Sequence, residues 1–181
     1  MLSHDEALQV LRASERIVTA DVIRATLQRL ADEISAKLGS RTPLVLTVMG
    51  GAVVFSGQLL PLLGFPLEVD YVHVTRYGDT TRGGTIEWKV RPRVPVGGRT
   101  VLVLDDILDE GITLAAIRDG LLTDGAQEVH CAVFADKHIG RDKPIAADFV
   151  GITLPDRYVF GFGMDVQGAW RNLPDIYALN D

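Results

Sequence analysis

Cysteine is almost missing from this 181-residue chain: Cys131 stands alone, so no disulfide can close within one molecule, which suits a reducing compartment. Positive charge is scarce too, with 18 Lys and Arg against 24 Asp and Glu and a net charge of −6. General nucleic-acid binding works by neutralising phosphates and needs the opposite balance, so it is not expected. No apolar run approaches the roughly 20 residues of a membrane-spanning helix. The N-terminal stretch carries His4, Asp5 and Glu6 and no continuous apolar segment, so it does not read as a signal peptide. A cytoplasmic protein with no nucleic-acid or membrane partner is the expectation.

What is present is the composition of an ordinary globular protein, 47% apolar and 23% charged, long enough for one substantial core. Thr19 to Leu38 has a capping Thr, apolar residues at helical spacing (Val22, Ile23, Leu27, Leu30, Ile34) and Gly39 at its end, which predicts a helix. Ser3 to Leu11 predicts a shorter one. The apolar run 43–49 predicts a buried strand that turns at Gly50 and Gly51, with a helix from Gly51 to Leu63. Valine-rich alternation over 67–77 predicts another strand, in which His73 is a hydrogen-bonded strand residue. Residues 78–98, rich in Gly, Pro and basic residues, read as a long excursion, either a functional lid or a disordered loop, and "TIEWKV" predicts one arm of a short hairpin within it. "RTVLVLDDI" and "EVHCAVFAD" predict strands on either side of a helix ending at Gly125, the second strand burying Cys131. "DFVGITLP" and "YVFGFGMD" predict two more, followed by a short tail. Strand–helix alternation implies an α/β fold with a mostly parallel, twisted sheet flanked by helices.

One stretch carries chemistry. In "VLVLDDILDEGITL" (101–114) an apolar strand runs into Asp105, Asp106, Asp109 and Glu110, and then Gly111 and Thr113 open a helix. Ligands of open parallel sheets sit at the carboxyl ends of strands. Amides at a helix start bind phosphate, while adjacent carboxylates accept hydrogen bonds from vicinal hydroxyls. A sugar phosphate satisfies both halves. There is no Gly-Lys-Thr of a nucleoside-triphosphate loop and no G-x-G-x-x-G dinucleotide fingerprint.

These residues resemble the phosphoribosyl-pyrophosphate (PRPP) signature of type I phosphoribosyltransferases. "VMGGAVVF" (48–55), "RYG" (76–78), "DK" (136–137), "DFVGITLPDRYVFGFGMD" (148–165) and "WRNLP" (170–174) resemble the hypoxanthine-guanine branch, so the resemblance covers nearly everything from residue 40 onward. It implies a single domain over 1–181: N-terminal helices to residue 40, a PRPP-binding core over 41–135 with a mobile loop at about 76–98, and a purine-binding hood over 136–181.

The implied reaction moves phosphoribose from PRPP to N9 of hypoxanthine or guanine, giving IMP or GMP and pyrophosphate, with Mg²⁺. The resemblance assigns Asp105 and Asp106 to the ribose hydroxyls and, with Asp165, to Mg²⁺. It assigns Asp109, Glu110, Gly111, Ile112 and Thr113 to the 5′-phosphate, and Asp109 also to the general base near N7. Met49, Gly50, Gly51 and Arg171 would meet pyrophosphate; the family often has a non-proline cis peptide in that glycine loop. Lys137 would donate to O6, Tyr158 would stack on the purine and the Val159 backbone would meet its pairing edge. Arg76 and Tyr77 would begin the mobile loop. A homodimer or homotetramer is implied, with Met49 near the interface.

Three positions depart from the family pattern. Met49 stands where Lys or Arg is usual, Arg76 replaces a small hydroxyl residue, and Glu110 replaces Thr in the phosphate loop. A carboxylate facing a phosphate is repulsive, so the Glu110 side chain is expected to turn away or toward Mg²⁺ or solvent. Two alternatives stay open: a xanthine- or guanine-preferring transferase, and a PRPP-sensing regulator on the same fold. The acidic balance and the retained Asp109, Lys137 and Asp165 argue against the regulator.

Overall fold

A computed structural model describes residues 2–76 and 86–180, with Arg76 described by its backbone only. The chain opens with α1 (His4–Ala13), where Ser3 forms a capping box: its hydroxyl accepts from the Glu6 amide and the Glu6 carboxylate accepts from the Ser3 amide. After a short strand β1 (Glu15–Val18) comes α2 (Ala20–Leu38), capped by Thr19. Its stripe of Ile23, Leu27, Leu30, Ile34 and Leu38 is buried, whereas Val22 lies off the stripe and is 48% exposed.

Further elements build the main sheet and cover it. They are β2 (Leu44–Met49), α3 (Ala52–Leu59), β3 (Glu68–Arg76), β4 (Ile86–Val90), β5 (Thr100–Leu108) and α4 (Ile112–Thr123), and then β6 (Glu128–His138) and β7 (Phe149–Pro155) complete it. The order across the sheet is β4-β3-β2-β5-β6-β7, parallel throughout except for β4, which runs antiparallel to β3. Strands covered on both faces must be apolar on both, and Val101, Leu102, Val103 and Leu104 are all fully buried. The two-residue period sends Leu102 and Leu104 into the core under α2 and α3, and Val101 and Val103 into the core under α4. Cys131 is buried in that second core, where burial first and the Asp148 carboxylate second push its thiol up to about 12.

The end of the chain differs from the sequence expectation. "YVFGFGMD" is a strand only at β8 (Val159–Phe160); Gly161 and Met164 then bridge each other across a tight turn. The tail contains β9 (Ile176–Ala178), and β1, β9 and β8 form a separate antiparallel sheet. Such short strands carry no readable period, and β1 is made a strand by β9, whose residues lie about 160 positions away in sequence. Asp175 fastens this sheet to the body by accepting from the Ala20 amide at 2.6 Å, at the start of α2. Among the described residues no helix is long and apolar enough to cross a membrane.

Candidate active site

The chain leaves β2 toward β3 on one side and leaves β5 toward β6 on the other. A crevice therefore opens between the carboxyl ends of β2 and β5, where open α/β sheets hold ligands. A cleft of about 280 Å³ lies there, lined from β2 by Met49 and Gly51, from β5 and its loop by Asp105 to Gly111, and by Thr113 and Arg171. The Met49–Gly50 peptide is cis. A Cβ on Gly51 would run into the Asp106 carboxylate, so glycine is what allows the two strand ends to close up here.

Asp105 and Asp106 sit on the cleft floor and hold their own loop: Asp105 accepts from the Asp106 amide at 3.0 Å and Asp106 accepts from the Ile107 amide at 2.9 Å. Burial raises Asp105 well above the ordinary carboxylate range, and the charge of Asp106 adds to it. Burial also raises Asp106, opposed by hydrogen bonds from Asp105 and the Ile107 amide and by the Arg171 guanidinium. At the far side Gly111 caps α4 with φ 79°, a conformation that favours glycine, and the first-turn amides of a 12-residue helix begin behind it. One cleft thus joins a carboxylate pair to a helix start.

A second chamber of about 230 Å³ adjoins the first through Asp106, Ile107, Asp109 and Arg171, and adds Lys137, Tyr158, Val159, Met164 and Asp165. Lys137, 12% exposed near the end of β6, donates to Asp109 Oδ2 at 3.1 Å. Tyr158 is 52% exposed, and its hydroxyl donates to the Asp165 carbonyl at 3.1 Å, so the ring is tethered beside the chamber. Asp165 accepts from the Gly168 amide at 2.7 Å and pairs with Arg171 at 2.5 Å; Arg171 also donates to the Gly163 carbonyl at 2.7 Å. The turn carrying both is pinned to α1 by Trp170 Nε1, which donates to the Ala7 carbonyl at 2.8 Å.

A family described as the phosphoribosyl transferase domain matches residues 14–168. The chain belongs to the phosphoribosyltransferase family. It is similar to hypoxanthine-guanine phosphoribosyltransferase of Bacillus subtilis, 31% identical over 90% of this chain and 91% of that protein. It is also similar to a bifunctional TilS/HprT protein of Listeria innocua, 34% identical over 90% of this chain, and spans only 25% of that longer protein. The solved ternary substrates complex of a mutant hypoxanthine phosphoribosyltransferase from Trypanosoma cruzi superposes with a TM-score of 0.86 at 27% identity, covering 93% of this chain and 97% of that one. The chain is thus a member of the hypoxanthine-guanine branch, with its type I fold.

Residues scattered from 49 to 171 in sequence converge on the two chambers: Met49, Gly51, Asp105, Asp106, Asp109, Glu110, Gly111, Thr113, Lys137, Tyr158, Val159, Asp165 and Arg171. Gly50 and Ile112 flank these chambers rather than line them. Arg76 ends β3 opposite Ile86, its side chain outside the described residues; Tyr77 and the start of the expected mobile loop also lie outside them. Glu110 accepts from Arg141 Nη2 at 2.6 Å, a partner that sequence reasoning missed. The basic pair in "GRDK" (140–143) was its only signal, and basic residues in loops are commonplace.

Proposed function

We propose that this chain transfers phosphoribose from PRPP to N9 of a 6-oxopurine, hypoxanthine or guanine, releasing pyrophosphate and giving IMP or GMP. The observation that carries the reading is the Lys137–Asp109 pair beside a tethered, exposed Tyr158. A 6-oxopurine protonated at N7 presents an acceptor at O6 and a donor at N7 on one edge. An ammonium and a carboxylate 3.1 Å apart complement that edge, and a 6-amino group would set donor against donor.

In this reading Asp105 and Asp106 accept from the ribose hydroxyls, and the amides from Glu110 to Thr113 hold the 5′-phosphate at the start of α4. Gly51, Met49 and Arg171 face the pyrophosphate, and the Val159 backbone faces the pairing edge of the base. Asp109 accepts the N7 proton as N9 attacks the anomeric carbon, and its negative charge favours the oxocarbenium-like centre. Raised carboxyls on the cleft floor are what a bound cation relieves. Among the described residues no three His, Cys, Asp or Glu side chains cluster to hold a metal alone. Mg²⁺ characteristically takes one or two carboxylates plus phosphate oxygens, so the Asp105–Asp106 pair, or Asp165 by itself, would hold an ion together with oxygens of the substrate. Bound there, it would neutralise charge on the departing pyrophosphate.

The working unit is proposed as one domain over 1–181, cytoplasmic, assembling as a homodimer or homotetramer. The test is a panel: protein, PRPP and Mg²⁺ with hypoxanthine, guanine, xanthine, adenine or uracil in turn. Nucleotide from hypoxanthine or guanine is expected; none from any base refutes the reading, and the xanthine arm settles discrimination at the 2-position.

A further inference from the structure

Segment 139–147 lies directly behind the β5–α4 loop and meets it at three places. Arg141 pairs with Glu110. Pro144 and Ile145 pack against Gly111, where a Cβ would come within 3.3 Å of each. Between them Lys143 points inward, 12% exposed, and its Nζ donates to the Leu108 carbonyl at 2.6 Å, the Lys137 carbonyl at 2.6 Å and Asp136 Oδ1 at 2.5 Å.

Those three acceptors use every proton the ammonium has, and the Asp136 carboxylate balances its charge. Their placement is informative. The β5–β6 pairing ends at Leu108 opposite Asp136, and the next residue of each strand is Asp109 and Lys137. Lys143 therefore ties the end of β5 to β6 where the ladder between those two strands stops, one residue short of the base-facing pair, while β6 goes on pairing with β7 as far as His138. We propose that Lys143 is a positioning residue: it holds Asp109 and Lys137 at the spacing that a 6-oxopurine edge requires. The inference rests on the function proposed above. Without the ammonium, two carbonyls and a carboxylate converge with no donor among them, and the strand ends must part or admit water. Displacements of about 1 Å at reacting groups cost on the order of 10²-fold in rate.

A staple that served stability alone would lower the melting temperature and leave the kinetic constants of the folded molecules unchanged. The test uses Lys143→Cys, with and without bromoethylamine, which rebuilds a lysine-like ammonium on the introduced thiol. Cys131 is the one native thiol, buried and pushed up to about 12, so in the folded protein the reagent selects the new site. Relative to the unsubstituted chain, kcat/KM for hypoxanthine falls about tenfold or more while KM for PRPP stays within about twofold, and alkylation restores kcat/KM to within about threefold. Lys143→Met keeps the apolar stem and must show the same split if the first variant folds poorly. An unchanged kcat/KM, a loss shared equally by both substrates, or a loss that alkylation leaves in place overturns the role. If the unsubstituted chain makes no nucleotide from any base, the functional reading itself falls; if it does and Lys143→Cys matches it, only the positioning role falls.

Discussion

Replacing Lys137 with Met tests the recognition of the base most directly. Met retains most of the stem and removes only the ammonium, so the packing at the end of β6 survives. Two losses follow. The ion pair to Asp109 disappears, but Asp109 is 47% exposed and remains solvated, so the cost to folding is about 1 kcal/mol or less. The hydrogen bond proposed to O6 would go as well, and its donor is a charged group only 12% exposed. Hydrogen bonds to charged groups are worth about 1.5–3 kcal/mol, which corresponds to about a 10- to 150-fold fall in kcat/KM for hypoxanthine. Adenine presents a donor at position 6, so it loses nothing and its disadvantage relative to hypoxanthine shrinks by the same factor. Steady-state assays of both bases at saturating PRPP, with a melting curve as control, measure each quantity. If hypoxanthine kcat/KM stays within about threefold of the parent, or if only the KM for PRPP moves, Lys137 does not read O6.

Other substitutions probe the remaining parts. Asp109→Asn should cut kcat by about 10²-fold or more with both KM values little changed, as a general base requires; unchanged turnover removes it from that role. Tyr158→Ala should raise KM for the base by about 5- to 100-fold, the range expected of aromatic–base stacking, while Tyr158→Phe, which loses only the bond to the Asp165 carbonyl, should shift it far less. Arg141→Ala should raise KM for PRPP about two- to fivefold, because the guanidinium charge that offsets the Glu110 carboxylate beside the phosphate is removed, and adding Glu110→Gln should reverse the rise. Asp105→Asn should stabilise the protein while abolishing turnover. Asp105 binds its proton more tightly folded than unfolded, so its ionisation costs stability as pH rises from the ordinary carboxylate range toward the raised value. The substitution therefore stabilises by on the order of 1 kcal/mol at pH 7 by urea denaturation, and the gain vanishes near pH ~4.

The relation between sequence and structure differs from one part of the molecule to another. β2, β5 and β6 were legible because strands buried on both faces must be continuously apolar, and α2 because its stripe and its Thr19 cap are local signals. The acid pair and the Gly–Thr helix start were legible as neighbours in one cleft because they are contiguous along a single strand–loop–helix segment. The small sheet was not. β1, β8 and β9 are four, two and three residues long, too short to carry a period, and β1 is a strand only through pairing with the far end of the chain. Glu110 marks the boundary. The sequence required its carboxylate to be accommodated, since phosphate repels it, but could not name Arg141, which lies 31 residues away.

By itself the sequence determined the main sheet, the loop and the chemical identity of the groups that line the cleft, because each follows from local periodicity or from contiguous residue types. Only the tertiary structure decided which charges pair. Lys137 on Asp109, Arg171 on Asp165, Arg141 on Glu110 and Lys143 across two strand ends all depend on distances between segments remote in sequence. Electrostatic energy falls with separation in space and takes no account of separation along the chain.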